Sequence, residues 1–570
     1  MQHTDKWTWW LDCLVLSLLV SGTYALFLGM HPFTVPDGGR YVEIPREMLA
    51  RHDFITPYLN GIKYFEKPPL FYWLQCLSLH AFGLNEWSAR IVTAVIAVLG
   101  CVGCYSFTRH IYTRQCAWFA SITLATCLLY FAMGHLVTLD MTVSVLISLS
   151  LFSFFIGFTR ESRLAFYGFY LFAGLAVLTK GLIGFAFPAM IIGLWILLLN
   201  QWRVLLKMCL PTGLVLFAAI IIPWHVLVQA KHPEFFQYYV MDQQLLRYAT
   251  NIAGRTQPNW FFIPVLLLGL FPWVFFLPQA IYYHLPRQWK LVKYALPEMF
   301  LLIWAISIFA FYSFSHSKLV PYILPVIPPL AILIGHYLAD AAKRDSTTIG
   351  ANIGFSFLLP FAIGFVFLFP KIPTLSPMVD GPHAMPYLIF CAIVLSITAL
   401  VVLRRHVTSR FTALSLGCLL FYLGLIAGMR HLDTRSIKPL ALTINRDAKP
   451  SAEIFSYVDY YQDLAPYTKR RINIVDWRNE LAFGLAHQPE AAEWMIDTPT
   501  FIKRWTAGWK NGTQMFMIAR IDRYQTLAAL YPTLPWVVLK QTKHDILVTN
   551  ESPTLSRNQR PHCISGTVIT

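Results

Sequence analysis

The chain has 570 residues, of which 56% are hydrophobic and only 13% are charged, and its mean hydropathy is +0.53. This composition leaves too little polar surface to cover a soluble globule, so a soluble protein is excluded. Apolar residues recur in windows of roughly 18–22, the length of a membrane-spanning helix, whereas barrel strands would alternate over ~10 residues. We therefore expect a polytopic α-helical membrane protein.

About thirteen spans are predicted from these windows. The first window follows only Asp5 and Lys6 and lacks a small-residue cleavage site, so we expect a retained anchor and not a removed signal peptide. The predicted spans lie near 11–30, 89–107, 115–133, 141–158, 164–179, 182–199, 206–222, 261–280, 297–314, 319–337, 352–369, 385–403 and 411–429.

The short loops predict the orientation of the chain, because cytoplasmic loops are enriched in Lys and Arg. With a cytoplasmic N-terminus every inside loop is basic, and an odd number of spans places residues 430–570 outside. Topology thus explains part of the net charge of +16, and nucleic-acid binding is not needed to account for it. The inside cations are Arg109, Arg114, Arg160, Arg163, Arg203, Lys207, Arg287, Lys290, Lys293, Lys343, Arg344, Arg404, Arg405 and Arg410.

Three regions interrupt the alternation of spans and short loops. Residues 31–88 and 223–260 are expected to be long outside loops. Residues 430–570 alternate apolar and polar positions, as in "AEIFSYVDYY" and "RINIVDW", which is typical of a small α/β domain. The expected organisation is a membrane domain over 1–429 followed by an outside domain over 430–570. We find no internal repeat, which disfavours an inverted-repeat transporter.

Two short helices are expected to lie in the membrane interface within the first outside loop. In "GGRYVEIPREMLARH", Ile44, Met48 and Leu49 recur at helical spacing, and the charged residues occupy other faces. In "PPLFYWLQCLSLHAFG", Pro68 and Pro69 fit a helix start, and the run is too short and interrupted to span. These helices would line a cavity at the outer leaflet.

Ionisable residues on the outer side are the candidate site, because cations there oppose the topological rule and acids near hydrocarbon are costly. Asp37 follows the first span, and its neighbours Pro36 and Gly38-Gly39 predict a tight turn. Asp140 closes the outside loop "GHLVTLD", where it is placed to cap the next helix. Either acid alone is explained by turn or cap chemistry.

Several outer cations accompany the two acids. Lys180, in "LTKGLIGF", is predicted at the tip of a very tight outer turn, and Lys318, in "SHSKLVPYILPVIPP", occupies a comparable place. A single Lys at a span end is usually a snorkelling anchor. Combined with the Asp37/Arg40 and Glu66/Lys67 pairs, these lysines would bind phosphate while the carboxylates orient or protonate a polar partner. The set indicates group transfer on a phospho-lipid.

The chain resembles the polyprenyl-phosphate-sugar-dependent glycosyltransferases of the GT-C class, within the protein O-mannosyltransferase-like family. It is most similar there to the bacterial transferases that add aminoarabinose to lipid A. The resemblance covers nearly the whole chain, including the spans, the interfacial helices and the C-terminal domain. The local matches are "DGGRYVEIPREM", "YFEKPPLFYWL", "TLDMT", "LTKGLIGFAFP", "FSHSKLVPYILPVIPPLA" and "DLAPYTKRRINIVDWRNELAFG".

The resemblance implies an inverting transfer of a sugar, 4-amino-4-deoxy-L-arabinose or another amino sugar, from undecaprenyl phosphate to lipid A. The reaction would take place on the periplasmic face of the bacterial inner membrane, in a monomeric enzyme. Asp37 and Asp140 match the family's catalytic acids, and Glu66 is the expected orienting group. The expected donor-phosphate residues are Arg40, Tyr64, Lys67, Lys180, Arg247, Lys318 and Tyr322.

The chain departs from the family pattern at two places. The lipid A enzymes usually carry Asp-Glu where this chain has Asp37-Gly38, which removes one carboxylate. They also tend to carry Glu-His before an Arg, where this chain has Gln243-Gln244 before Arg247. Both departures leave open a different sugar or acceptor.

The second departure bears on metal binding. The family's His is associated with a metal site shared with the Glu of "EKPP", which is Glu66 here. Because Gln is a poor transition-metal ligand, a divalent metal on Glu66 is disfavoured and no cofactor is expected. His225 or His232 is the alternative second ligand.

Two other functions stay open at this point. A protein O-mannosyltransferase-like enzyme is disfavoured by the compact α/β domain after the last span. A lipid or sugar transporter is disfavoured by the absence of repeats and of charges in the middle of spans. A transferase changes the mass of its acceptor, whereas a transporter does not.

Overall fold

The computed structural model describes residues 3–33, 36–246, 256–286, 288, 295–344, 349–368, 381–402, 406–432 and 436–551. The chain divides into two compact units, Met1–Ser436 and Ile437–Thr570. The first unit is helical and the second contains a six-stranded sheet.

The first unit contains eighteen α-helices in its described part. In chain order they are α1 (His3–Ala25), α2 (Asp37–Arg51), α3 (Leu70–Phe82), α4 (Glu86–Ile111), α5 (Arg114–Thr126), α6 (Leu128–Gly134), α7 (Leu139–Arg160), α8 (Arg163–Lys180), α9 (Ile183–Leu199), α10 (Val204–Lys207), α11 (Leu210–Lys231), α12 (Phe262–Gly269), α13 (Leu277–His284), α14 (Leu296–Phe314), α15 (Ile327–Lys343), α16 (Ile349–Leu368), α17 (Gly381–Val402) and α18 (Val407–Leu432).

The expectation of a polytopic helical membrane protein is confirmed. In the described part of the chain, eight helices are long and apolar enough to cross a membrane, or up to ten if each of two bent helix pairs is one span. Three of the thirteen predicted windows, 164–179, 182–199 and 352–369, are not among these ten, and two of those three contain only shorter apolar helices. Two further windows are bent helix pairs. One window is bent by 65° between α5 and α6, and another by 102° between the segments 259–269 and 273–284.

Hydrogen bonds from neighbouring helices make both bends tolerable in an apolar surrounding. The N–H of Leu128, which begins α6, donates to the carbonyl of Phe271 at 3.1 Å. The Tyr422 hydroxyl, buried on α18, lies 2.8 Å from the Phe271 carbonyl and 3.2 Å from that of Thr126. Backbone groups freed by a break are costly in a membrane unless the protein itself supplies a partner, and Tyr422 serves both breaks.

A buried ion cluster fixes α1 against α4 and α5. Asp12 is only 3% exposed. It accepts two hydrogen bonds from Arg114, at 2.6 and 2.7 Å, and one from Arg109 at 2.8 Å. Tyr105 donates a further hydrogen bond to the same carboxylate. A single buried acid is thus shared by three donors, which offsets the cost of removing its charge from water.

Two sequence-based boundaries are wrong. The residues around Gly38-Gly39 form no tight turn: they are the buried first turn of α2, which Asp37 begins. An acid at the start of a helix interacts favourably with the helix dipole. An aspartate is therefore as suitable at this helix start as it would be in a turn. The second loop was predicted from residue 223, yet α11 continues through Pro223 to Lys231. Membrane helices tolerate such a proline because neighbours satisfy the freed backbone.

The two predicted helices of the first outside segment are confirmed as α2 and α3. Between them lies a two-stranded antiparallel hairpin, β1 (Tyr58–Leu59) and β2 (Ile62–Lys63). The turn residues Asn60 and Gly61 both have positive φ, +53° and +79°. This is the Asn-Gly sequence that two-residue hairpin turns favour.

The second unit is a small α/β domain, as the alternating sequence pattern predicts. Its sheet has the order β5-β4-β3-β6-β8-β7, with parallel pairing from β5 to β6 and antiparallel pairing of β8 with both β6 and β7. The strands are β3 (Glu453–Tyr457), β4 (Asn473–Val475), β5 (Met495–Ile496), β6 (Met515–Arg520), β7 (Val537–Gln541) and β8 (Asp545–Thr549). The helices are α19 (Lys438–Asp447), α20 (Leu464–Thr468), α21 (Ala482–Ala486), α22 (Thr498–Asn511) and α23 (Ile521–Leu530).

The close packing of α15 on α5 gives a testable prediction. A Cβ at Gly335 would lie 2.4 Å from the Ala120 backbone nitrogen, whereas a Cβ at Gly193 on α9 would meet nothing within 4 Å. Gly335→Ala should therefore lower the unfolding free energy by about 1–3 kcal/mol, because neither backbone can yield without moving its helix. Gly193→Ala is the matched control and should be neutral or stabilising. Equal melting temperatures for the two purified variants would contradict this packing.

Candidate active site

The first group of site residues joins the start of α2 to the hairpin. Arg40 is 4% exposed. Its guanidinium donates to the Asp37 carboxylate at 2.7 Å and to the Tyr64 hydroxyl at 2.8 Å. Asp37 and Arg40 are three residues apart on one helix, so their side chains meet on the same face. The Asp37 side chain remains 51% exposed, which leaves its carboxylate accessible to a ligand.

The second group joins the start of α7 to the end of α8. Lys180 forms an ion pair with Asp140, and both side chains are mostly buried, with 12% and 14% exposed. Lys180 ends α8, and Gly181 (φ +84°) turns the chain directly into α9. The predicted tight turn is therefore confirmed. The Lys180 ammonium also lies 4.6 Å from the centroid of the Tyr322 ring, a cation–π contact.

The expectation that Asp140 caps α7 is wrong. Thr138 is the capping residue, and its hydroxyl oxygen accepts the N–H of Asp140 at 3.3 Å. The same hydroxyl donates to the Asp140 carboxylate at 2.8 Å. Because Thr138 caps the helix, the side chain of Asp140, the second helical residue, is not needed as a cap and can bind Lys180.

Tyr41 is buried and lies within electrostatic range of both groups. Sequence reasoning missed this residue. Burial raises the pKa of Tyr41 well above its usual value, and the negative charges of Asp37 and Asp140 add to the rise while Arg40 opposes it. Both carboxylates therefore act on a single buried phenol. Its position four residues after Asp37, on the same helix face, was the only available signal.

Arg90 fixes the chain just before the first group. It is 1% exposed on α4 and donates to the carbonyls of Leu28 and His31, both at 2.9 Å, and to that of Pro32 at 2.5 Å. Its second nitrogen lies 2.9 Å from Nδ1 of His31. Burial, assisted by the Arg90 charge, lowers the pKa of His31 to about 3, so the imidazole is neutral and can accept this hydrogen bond.

Lys318 is held by backbone groups. It is 3% exposed and donates to the carbonyls of Ser315 and, at 3.0 Å, Gln257. Burial lowers the pKa of the Lys318 ammonium. The side chain thereby ties the turn after α14 to residue 257, and its expected phosphate role stays a prediction.

Glu66 and Lys67 lie in the bend between β2 and α3, Glu66 buried and Lys67 half-buried. Pro69 is the N-cap residue of α3, which confirms that the two prolines mark a helix start. The roles expected of Glu66 and Lys67 stay predictions. Arg247 lies outside the described residues.

The metal site that the family resemblance implies is not assembled among the described residues. The described part of the chain contains no group of three His, Cys, Asp or Glu side chains that could hold a metal ion. Nδ1 of His225 lies 2.7 Å from the carbonyl of Ile221, and Nε2 of His232 lies 3.1 Å from the Thr56 hydroxyl. One engaged ring nitrogen is also typical of metal-bound imidazoles, so these contacts are no argument against a ligand role, and no chemical step below involves a metal.

Comparison with known proteins agrees with this architecture. The family model "Dolichyl-phosphate-mannose-protein mannosyltransferase" matches residues 66–227, and the model "Aminoarabinose transferase C-terminal domain" matches residues 440–550. ArnT from Cupriavidus metallidurans, crystallised with undecaprenyl phosphate, is 27% identical with a TM-score of 0.79, and the match covers 96% of this chain and 98% of that one. The chain is a glycosyltransferase of the GT-C class.

Two curated relatives of this glycosyltransferase are named undecaprenyl phosphate-alpha-4-amino-4-deoxy-L-arabinose arabinosyl transferase. The protein from Erwinia tasmaniensis is 28% identical over 539 residues, which are 89% of this chain and 93% of the relative. The protein from Shewanella sediminis is 32% identical over 368 residues, 62% of this chain and 65% of the relative. The expected family, the enzyme class and a membrane location are confirmed, and the transporter alternative is set aside.

Thr138 allows the cap and the ion pair of this glycosyltransferase to be tested together. Thr138→Val removes both hydrogen bonds to Asp140 and should lower the unfolding free energy by about 1–2 kcal/mol, with a loss of activity. Thr138→Ser should restore both. Thr113→Val is the matched control, because Thr113 caps α5 through Cys116 without contacting a site residue. Full activity in Thr138→Val would show that the cap does not help to orient Asp140.

Proposed function

We propose that the chain transfers 4-amino-4-deoxy-L-arabinose from undecaprenyl phosphate to a phosphate group of lipid A. The observation that carries the proposal is the match over nearly the whole chain to ArnT bound to undecaprenyl phosphate. The names of the curated relatives supply the sugar. The sequence at 440–550 favours this activity over protein mannosylation, because that region matches the aminoarabinose transferase model.

The donor chemistry needs cations and no acid. The bond between the anomeric carbon and the donor phosphate oxygen breaks, and the leaving undecaprenyl phosphate keeps the electron pair. Negative charge develops on that phosphate, which Arg40 and Lys67 are proposed to stabilise in a site that excludes water. A guanidinium suits this role because its planar fork matches two phosphate oxygens. Tyr64 keeps that fork oriented through its 2.8 Å hydrogen bond to Arg40.

The acceptor determines the role of Asp37. A lipid A phosphate is already anionic, so its oxygen can form the new bond to the anomeric carbon, with inversion, without a general base. Asp37 is then proposed to bind the ammonium group of the aminoarabinose and orient the sugar. A hydroxyl acceptor would instead require Asp37 as a base. Asp140 is proposed to hold Lys180 against Tyr322, where the ammonium can approach an acceptor or donor phosphate.

The proposed location is the bacterial inner membrane, with the site and the C-terminal domain in the periplasm. The basic inside loops support this orientation, since Lys and Arg accumulate on the cytoplasmic side. A monomer is proposed because both acid–cation groups are assembled within one chain.

Mass spectrometry of lipid A tests the acceptor and the sugar. Cells that lack the gene should lose a lipid A species heavier by one aminopentose, and the wild-type gene should restore it. Asp37→Asn keeps the side-chain shape and removes its charge, so transfer should fall at least about 100-fold. Undecaprenyl phosphate should still bind this variant. Unchanged lipid A in the deletion strain would exclude lipid A as the acceptor.

A binding measurement tests the donor site separately. Arg40→Gln removes a buried cation proposed to contact phosphate and should weaken binding of undecaprenyl phosphate to the purified protein by about 10-fold or more. Lys231→Gln is the matched control, because Lys231 is half-exposed and pairs with Asp53, which is not one of the proposed site residues. Equal affinities for the two variants would exclude Arg40 from the donor site.

A further inference from the structure

Both glutamates of α2 are buried, although the sequence pattern places them away from its apolar face. Glu43 is 1% exposed and Glu47 is 5% exposed. Each is paired with an arginine on the same helix, Glu43 with Arg46 and Glu47 with Arg51. Buried carboxylates are costly, so each needs its full set of partners.

Glu47 and Glu43 differ in the hydrogen-bond partners of their carboxylate oxygens. Arg46 donates to both oxygens of Glu43, at 2.6 and 2.7 Å. Arg51 donates to only one oxygen of Glu47, at 3.0 Å. The other oxygen accepts the backbone N–H of Gly61 at 2.7 Å. Glu47 therefore reaches from the helix to the tip of the β1–β2 hairpin.

This hydrogen bond attaches α2 to the segment ending in Tyr64, as does the one between Arg40 and Tyr64. Arg40 and Glu47 are seven residues apart, about 10.5 Å along the helix, and lie on the same side. Arg40 binds the Tyr64 hydroxyl, while Glu47 binds the hairpin turn three residues earlier. The Tyr64 N–H also donates to the Pro57 carbonyl at 2.9 Å, which closes the hairpin behind them. Two attachment points along α2 fix both the position and the angle of the hairpin relative to the helix.

Arg51 reinforces the second attachment. Its guanidinium lies 4.2 Å from the centroid of the Tyr58 ring on β1, so the partner of Glu47 contacts the hairpin as well. Glu43 lies beside Glu47, one helical turn earlier on the same face. Burial raises the pKa of Glu43 to about 7, partly offset by Arg46 and increased by the charge of Glu47.

We infer that Glu47 is a positioning residue for the donor site: its hydrogen bond to Gly61 holds the hairpin so that Tyr64 meets Arg40. This inference rests on the proposed function, because it assumes that Arg40 and Tyr64 receive the donor phosphate. Glu47 itself contacts no reacting atom. Its loss is expected to weaken donor binding and leave acceptor binding unchanged.

The test measures binding of undecaprenyl phosphate to the purified full-length protein, together with the KM values for donor and acceptor. Glu47→Ala should raise the donor dissociation constant and the donor KM by about tenfold, with the acceptor KM unchanged. Glu47→Gln keeps an oxygen that can accept the Gly61 N–H and should stay within about threefold of the wild type. Glu47→Asp keeps the charge but is too short to reach Gly61, so it should behave like Glu47→Ala and replaces it if that variant does not fold.

Glu43→Gln is the matched control, a buried glutamate on the same helix whose carboxylate is bound by Arg46. Glu43 also interacts with Glu47, and the amide of Gln can still donate a hydrogen bond to Glu47. It should bind the donor like the wild type. The inference is overturned if Glu47→Ala or Glu47→Asp binds the donor as tightly as Glu43→Gln, or if donor and acceptor KM rise together in proportion to lost thermal stability. A wild-type protein that does not bind undecaprenyl phosphate would overturn the proposed function, and this inference with it. Normal wild-type binding together with normal Glu47→Ala binding would overturn this inference alone.

Discussion

Every charge and broken backbone segment that this chain buries needs a partner from the chain itself. In a bilayer no water is available to replace a missing hydrogen bond, so an unpaired group would cost several kcal/mol. Asp12 meets this need with two arginines and a tyrosine, and Tyr422 meets it at two helix breaks. The same rule applies next to the candidate site, where buried Arg90 binds the segment that precedes Asp37.

The candidate site follows from this constraint. Its acids and cations form pairs whose members come from different places in the sequence, as with Asp140 and Lys180, or from one helix turn, as with Asp37 and Arg40. Each pair is oriented by a neutral hydroxyl or ring, Tyr64 for the first and Thr138 with Tyr322 for the second. Rigid orientation before the ligand arrives is what electrostatic catalysis requires.

The features of the fold that depend on composition, periodicity or local chemistry could be predicted from the sequence. Window length gave the polytopic architecture, and the interfacial helices, the Lys180 turn and the α/β domain followed from short-range patterns. What it missed depends on contacts between distant residues. The bends at α6 and before α13 are supported by Tyr422, some 150 residues or more away, so no local pattern reveals them. Asp140 was expected to cap α7 because the competing cap, Thr138, is equally plausible from sequence alone.

The ion pairs make the unliganded site almost electrically balanced, since Lys180 and Arg40 each already contact a carboxylate. A phosphate that enters must compete with that carboxylate, so it gains only the difference between two ion pairs. Inorganic phosphate has no further group that could add binding free energy to this small difference. A polyprenyl phosphate adds the burial of its long apolar chain, worth about 25 cal/mol per Å². If Arg40 and Lys180 bind phosphate as proposed, this pairing makes the site indifferent to free phosphate and selective for phosphate carried on a lipid.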